Sequence, residues 1–255
     1  MQKTNDSKKT QTGDTCCPIV ELRQYTLHPG MRDVLIDLFD RELVESQEAL
    51  GMRVIGQFRD LGNSNRFVWL RGFDDMTTRA QGLQAFYGGP VWKAHRDTAN
   101  ATMVDSDNVL LLRPARPASG FALENSDRPP PGSNEIPKGL VVATIYYLTE
   151  PADAAFVDFF ERAIKPELRD AGASVLAHFV TENSANNFPA LPVREGENVF
   201  VWFSRFRGQA EYEHHVAALA RSPRWRGEIS EVLRRRVKKS HEVLKLSATA
   251  RSQLR

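Results

Sequence analysis

The chain has 255 residues, 41% hydrophobic and 26% charged, with a formal net charge of +2. So small a net charge supplies no basic field, which argues against nucleic acid as the main partner. No apolar run reaches the ~18 residues that cross a bilayer, and the polar residues 1–14 lack the apolar stretch of a secretory signal. The expectation is a cytoplasmic protein with no membrane partner and a disordered leader over residues 1–17. Cys16 and Cys17 are adjacent. Disulfide geometry disfavours a bridge between neighbours, so free thiols are expected, and the spacing suits no metal.

Ile19–Leu27 sets β-branched and aromatic residues in alternation and ends at the turn His28-Pro29-Gly30. The i, i+3, i+4 spacing of Val34, Leu35, Leu38, Phe39 and Leu43 predicts a helix, which Gly51 terminates. Residues 52–59 and Arg66–Phe73 read as a hairpin. A second helix, capped near Asp75 to Thr78, carries Leu83, Phe86 and Tyr87, and a further helical turn begins at Pro90. Residues 109–112 make the closing strand. Residues 114–138 contain Pro114, Pro117, Pro129, Pro130, Pro131 and Pro137 and read as a semi-extended linker, with 119–135 expected to be mobile.

After the linker the pattern starts again. Tyr25 falls on Tyr146, an offset of 121 residues, and Phe39, Gly51, Val54 and Phe58 fall on Phe160, Gly172, Val175 and Phe179. An insertion at 183–197 raises the offset to 133, where Trp69, Phe73, Pro90 and Trp92 meet Trp202, Phe206, Pro223 and Trp225. Each copy therefore reads β-α-β-β-α-β, the ferredoxin-like order. The predicted class is α+β: a leader (1–17), a first domain (18–113), the linker (114–138), a second domain (139–247) and a tail (248–255). Both helices would cover one sheet face. The bare faces would then pack sheet to sheet as an intramolecular α+β barrel enclosing a cavity. Pairing of whole chains into a homo-oligomer is compatible with this architecture.

The run from Glu21 to Gly30, with Gly56-Gln57-Phe58, Arg66-Phe67-Val68-Trp69 and Pro90-Val91-Trp92, resembles the NIPSNAP family of the dimeric α+β-barrel superfamily. The resemblance implies the barrel fold more than any reaction. The second copy looks like a diverged domain of this kind, with Val142 and Thr144 in place of Glu21 and Arg23.

Glu21, Arg23 and Tyr25 alternate and share one strand face. If that face lines the cavity, Arg23 and Tyr25 can anchor a polar or anionic ligand, with Gln57 and Arg59 nearby. The competing reading is a structural ion pair beside a packed tyrosine. His178, equivalent to Gln57, could act as a general base or be a hydrogen-bonded core histidine. His95 follows an aromatic-Lys-Ala run similar to that preceding the axial histidine of haem-degrading monooxygenases. It sits one residue closer to the aromatic, and a surface histidine is the alternative. His214 and His215 are neighbours that point apart on a helix, which argues against a shared metal site. There is no phosphate-binding glycine loop, nucleophile elbow or zinc spacing. Three readings follow. One is a binder of a small polar or aromatic ligand in the barrel cavity, with a cofactor-free oxygenase as its catalytic form. Another is a haem-binding or haem-degrading monooxygenase. The last is a non-catalytic binding or scaffold protein.

Overall fold

A computed structural model describes residues 15–124 and 126–255. The leader expected over 1–17 lies outside the described residues except for Thr15, Cys16 and Cys17. In the first half, strand β1 (Ile19–Leu27) is followed by α1 (Arg32–Leu38), a π-helical turn at Phe39–Leu43 and α2 (Val44–Glu48). The hairpin β2 (Arg53–Asp60) and β3 (Arg66–Phe73) comes next, then α3 (Met76–Gly88), α4 (Pro90–Asn100), the short β4 (Met103–Asp105) and β5 (Val109–Pro114). The second half runs β6 (Leu140–Tyr147), α5 (Ala154–Phe159), a π turn at Phe160–Ile164, α6 (Lys165–Asp170), β7 (Ser174–Thr181) and β8 (Val199–Phe206). It ends with α7 (Gln209–Arg221), a π turn at Trp225–Ile229, α8 (Ser230–Arg236) and β9 (Glu242–Ala248).

The strands pair in the order β2-β3-β1-β5 in one half and β7-β8-β6-β9 in the other. Hydrogen-bonded seams between β2 and β9 and between β5 and β7 close eight strands into a barrel, and β4 flanks β1. The two arcs are therefore joined along both edges as well as facing each other. The irregularities recur at the same spacing. The π turn at Phe39–Leu43 matches that at Phe160–Ile164, and the bulge between Val54 and Gly56 matches that between Val175 and Ala177. Gly51 (φ 80°) and Gly172 (φ 97°) end the helical segments in the left-handed conformation that glycine adopts without steric cost.

Alternation along the strands sorts side chains between two environments. Val20, Leu22, Phe58, Val68 and Leu110 point inward with Val141, Phe179, Phe203 and Leu244 and fill the barrel. Among the described residues, interdigitated apolar side chains from both arcs occupy the interior where a cavity is expected. The linker and the tail help to stopper it. Phe121 is buried 5.1 Å from Phe179 and 5.0 Å from Phe203, and Leu123 and Leu254 join the same cluster. Arg128 bridges Glu48 and the carbonyls of Val54 and Arg251. The linker thus packs on the barrel at Phe121, Leu123 and Arg128: its proline-rich composition hid two apolar anchors and a bridging arginine. Residues 249–254 are likewise packed, with the Leu254 N–H donating to the Ile55 carbonyl. Cys16 and Cys17 form a vicinal disulfide, with Cys17 at φ 64°, which corrects the free-thiol expectation. The outward faces pack beneath the helices as two further clusters, one per half.

Candidate functional site

Both candidate regions lie between the barrel wall and its helices. In the first half the outward residues of β1 and β3 are Glu21, Arg23, Tyr25, Trp69 and Arg71, and α3 adds Arg79. Glu21 is the hub. Its carboxylate accepts from Arg23 Nη1 (2.9 Å), Arg71 Nη2 (2.7 Å) and Arg79 Nε (2.8 Å). Arg23 Nε donates to the Tyr25 hydroxyl at 3.0 Å, and Arg71 Nη1 to Gln47 Oε1 at 2.9 Å. Glu21, Arg71 and Arg79 are wholly buried and Arg23 is 1% exposed. Burial alone would raise the Glu21 pKa; the three guanidiniums override it and hold the carboxyl far below the usual range. The residues expected to anchor a ligand in a barrel cavity thus pack against one another, on the other side of the wall.

In the second half, offsets of 121 and 133 residues place Val142 at the position of Glu21, Thr144 at Arg23, Ser204 at Arg71 and Tyr212 at Arg79. Tyr146 and Trp202 repeat Tyr25 and Trp69. Helix α7 has the same length and relative position as α3. Short side chains thus replace Arg23 and Arg71, a tyrosine replaces Arg79, and the space stays open. A pocket of about 300 Å³ is lined by Thr144, Tyr146, Trp202, Ser204, Tyr212 and His215, among others. Trp225 closes one side, and His241 and the exposed Val216 and Val243 mark the mouth. His215 stands where the first half has Gly82, at which even a Cβ would come within 3.0 Å of Met52.

The polar groups here are uncommitted. Ser204 is buried, and among the described residues its hydroxyl has no partner. Among the described residues the Tyr146 hydroxyl makes no hydrogen bond, and burial holds its pKa above the usual tyrosine value. His215 Nδ1 lies 3.1 Å from the Ala171 carbonyl, which assigns the proton to Nδ1 and leaves the Nε2 lone pair free. Burial lowers its pKa, so the ring is neutral at pH 7. No lysine or arginine lines the pocket. Its walls are aromatic, with Tyr146 and Trp202 meeting edge to face at 4.8 Å.

The remaining predicted residues lie elsewhere. Gln57 Nε2 donates to Asp40 Oδ1 at 3.0 Å, and His178 Nε2 lies 3.3 Å from Glu161 Oε1. These are equivalent ties between a bulged strand and a π turn. Burial, assisted by Lys165, lowers the His178 pKa to about 4. Arg59 pairs with Asp33 at the surface. His95 lies 3.7 Å from Glu42, partly exposed, and lines none of the described pockets. Of the predicted set, the fold brings together only Glu21, Arg23 and Tyr25. Sequence reasoning missed Ser204, Tyr212 and His215. The available signal was the loss of Arg71 and Arg79 at the 133-residue offset.

Residues 20–117 match the NIPSNAP family. No curated protein matches the chain. Among solved structures, the chain is similar to a candidate monooxygenase from Fusobacterium nucleatum subsp. nucleatum, with TM-score 0.56 and 8% identity over 92% of this chain and 93% of that one. An anthrone oxidase-like protein gives TM-score 0.55 at 13% identity over 93% of each chain. A candidate chlorite dismutase gives 0.51 at 12% over 92% and 96%. At these identities the likeness establishes the fold alone, that of the α+β-barrel proteins. Within that fold, it is residues 20–117 that match the NIPSNAP family.

Proposed function

We propose that this protein is an α+β-barrel enzyme with duplicated halves, in which the second half keeps an open pocket between its sheet and its helices. Its ligand is a planar, uncharged hydroxyaromatic molecule, and its chemistry is cofactor-free oxygenation. The observation that carries this reading is the pocket between β6, β8 and α7. It has aromatic walls, no charged side chain, and polar groups free of other partners among the described residues, including the Ser204 and Tyr146 hydroxyls and His215 Nε2. Such a lining favours a flat apolar body carrying a few hydrogen-bonding oxygens, because buried polar groups gain most when a ligand satisfies them. The names of two full-length structural neighbours, a candidate monooxygenase and an anthrone oxidase-like protein, point the same way.

The residues suggest an order of events. Trp202 stacks on the ring system, and Tyr146, edge to face with Trp202, meets its rim. The Ser204 hydroxyl donates to a ring carbonyl oxygen, and His215 Nε2 takes a proton from the adjacent acidic C–H or phenol. The resulting carbanion or phenolate is electron-rich enough to react with dioxygen. For an activated methylene, CH2 plus O2 gives C=O plus H2O, and the substrate itself supplies the electrons. The proton returns from His215 to the departing oxygen.

A haem is implied by part of the fold family, and the residues do not fit it. The propionates of a haem call for cationic partners that this lining lacks, and His95 lies away from any described pocket. The test is oxygen uptake with a hydroxylated anthrone. Wild type should consume one O2 per substrate with saturation, and His215→Ala should cut kcat by about 10²-fold or more while Ser204→Ala chiefly raises KM. Equal rates in wild type and His215→Ala would remove the assignment.

A further inference from the structure

The first-half cluster has a charge imbalance that none of its own residues resolves. Arg23, Arg71 and Arg79 place three positive charges at no more than 1% exposure, and Glu21 supplies one negative charge. Tyr25 does not supply another, because burial holds its phenol protonated. Isolated buried charge is expensive, and an excess of two is met in proteins by pairing or by ligation. Two donors in the cluster also lack acceptors. Trp69 Nε1 is buried and unpartnered among the described residues, with the Arg23 and Arg71 guanidiniums 5.5 and 4.9 Å from its ring. Arg79 Nη2 lies 2.8 Å from Glu21 Oε1 but off the hydrogen-bond direction, so its N–H is unsatisfied.

What covers the cluster is the 183–197 insertion of the other half. Arg79 Nη1 donates to the side-chain oxygens of Asn186 (3.1 Å) and Asn187 (2.7 Å). Phe188 stacks on Tyr87 at 5.9 Å, and Leu191 packs against the same apolar cluster. Two neutral amide oxygens thus sit where a guanidinium would bind an oxyanion most strongly. The segment carrying them is exposed at Asn183, Ser184, Ala185, Asn187, Pro189 and Ala190, and it lies on a loop rather than in the sheet.

We infer that the first half contains a second binding site, for a small oxyanion of the phosphate or dicarboxylate class, with the 183–197 loop as its lid. The anion replaces the Asn186 and Asn187 oxygens on Arg79, takes up the unsatisfied N–H groups, and offsets the excess charge of Arg23 and Arg71. This site is separate from the second-half pocket and does not depend on the reading proposed for it.

The test titrates the full chain with inorganic phosphate and, separately, with malonate, in a chloride-poor buffer. Calorimetry reads binding and hydrogen exchange reads the loop. The expected result is 1:1 saturable binding of at least one of the two, with faster exchange across 183–197 as the lid is displaced. Arg79→Gln should abolish binding. Asn187→Ala removes an internal competitor while leaving the arginines in place, and should tighten binding roughly tenfold, the scale of one hydrogen bond to a charged group. No saturable binding of either anion, binding that survives Arg79→Gln, unchanged exchange at 183–197, or an Asn187→Ala variant that binds no tighter than wild type would each overturn the inference. Because Asn187 belongs to the lid, its variant remains decisive even where Arg79→Gln weakens the fold.

Discussion

The contrast between Glu21 and Ser204 shows how similar positions carry opposite consequences. Among the described residues Glu21 is the sole carboxylate for three buried guanidiniums, so Glu21→Gln strands positive charge out of reach of water. We expect a loss of about 3–5 kcal/mol, measured by urea unfolding, the scale for breaking a buried ion pair. A loss below about 1 kcal/mol would mean that the cluster is solvated. Ser204 has a buried hydroxyl with no partner, so Ser204→Ala removes a desolvated group and should be neutral or stabilising by up to about 1 kcal/mol. His178 makes a pH prediction. Its pKa is lowered from 6.5 to about 4, chiefly by burial, so the unfolded chain binds this proton first. Stability is therefore full above pH 6.5, falls as pH drops from 6.5 to about 4, and levels off below that. The loss from this group is at most on the order of 3 kcal/mol. His178→Gln copies the Gln57 tie of the first half and should flatten that part of the curve. An unchanged slope would assign the acid sensitivity to other groups.

The recurring elements are the π turns and the bulged strands, and both follow from particular side chains. Phe39 and Phe160 begin π turns whose inward face packs on Phe67 and Trp69 in one half and on Phe200 and Trp202 in the other. The Gln57–Asp40 and His178–Glu161 ties then fix each turn to its bulged strand. The linker is the element whose composition misled. Its prolines argue for an open spacer, yet Phe121 inserts between Phe179 and Phe203. Phe121→Ala should therefore cost about 3–5 kcal/mol, the range for deleting a buried phenylalanine. Limited proteolysis of wild type should spare the chain around Phe121. Rapid cleavage there, or a cost under 1 kcal/mol, would return the linker to the surface.

For the whole molecule, the account is one of asymmetry. Two equivalent arcs close one barrel; the first fills its helix-side space with arginines and a borrowed loop, while the second leaves that space open. Much of the fold was legible, because apolar alternation, the turn glycines and the offsets of 121 and 133 residues all depend on local pattern. The barrel seams between β2 and β9 and between β5 and β7 were not, since edge pairing leaves no mark in either strand alone. The site was half legible. The divergence of Arg23 to Thr144 marked the face on which the pocket opens, and the charges marked the filled half. A buried charge and a ligand-binding charge have the same sequence signature until their partners are known, and the partners Arg71 and Arg79 come from other elements. The most direct test of the asymmetry is hydrogen exchange of the full chain with and without a dihydroxyanthraquinone, a planar analogue that cannot be oxidised at the reacting carbon. The account predicts new protection in Gln209–Arg221 and along Leu140–Tyr147, with Met76–Gly88 unchanged. Protection confined to Met76–Gly88 and Ile19–Leu27, or none at Gln209–Arg221 under saturating ligand, would contradict it.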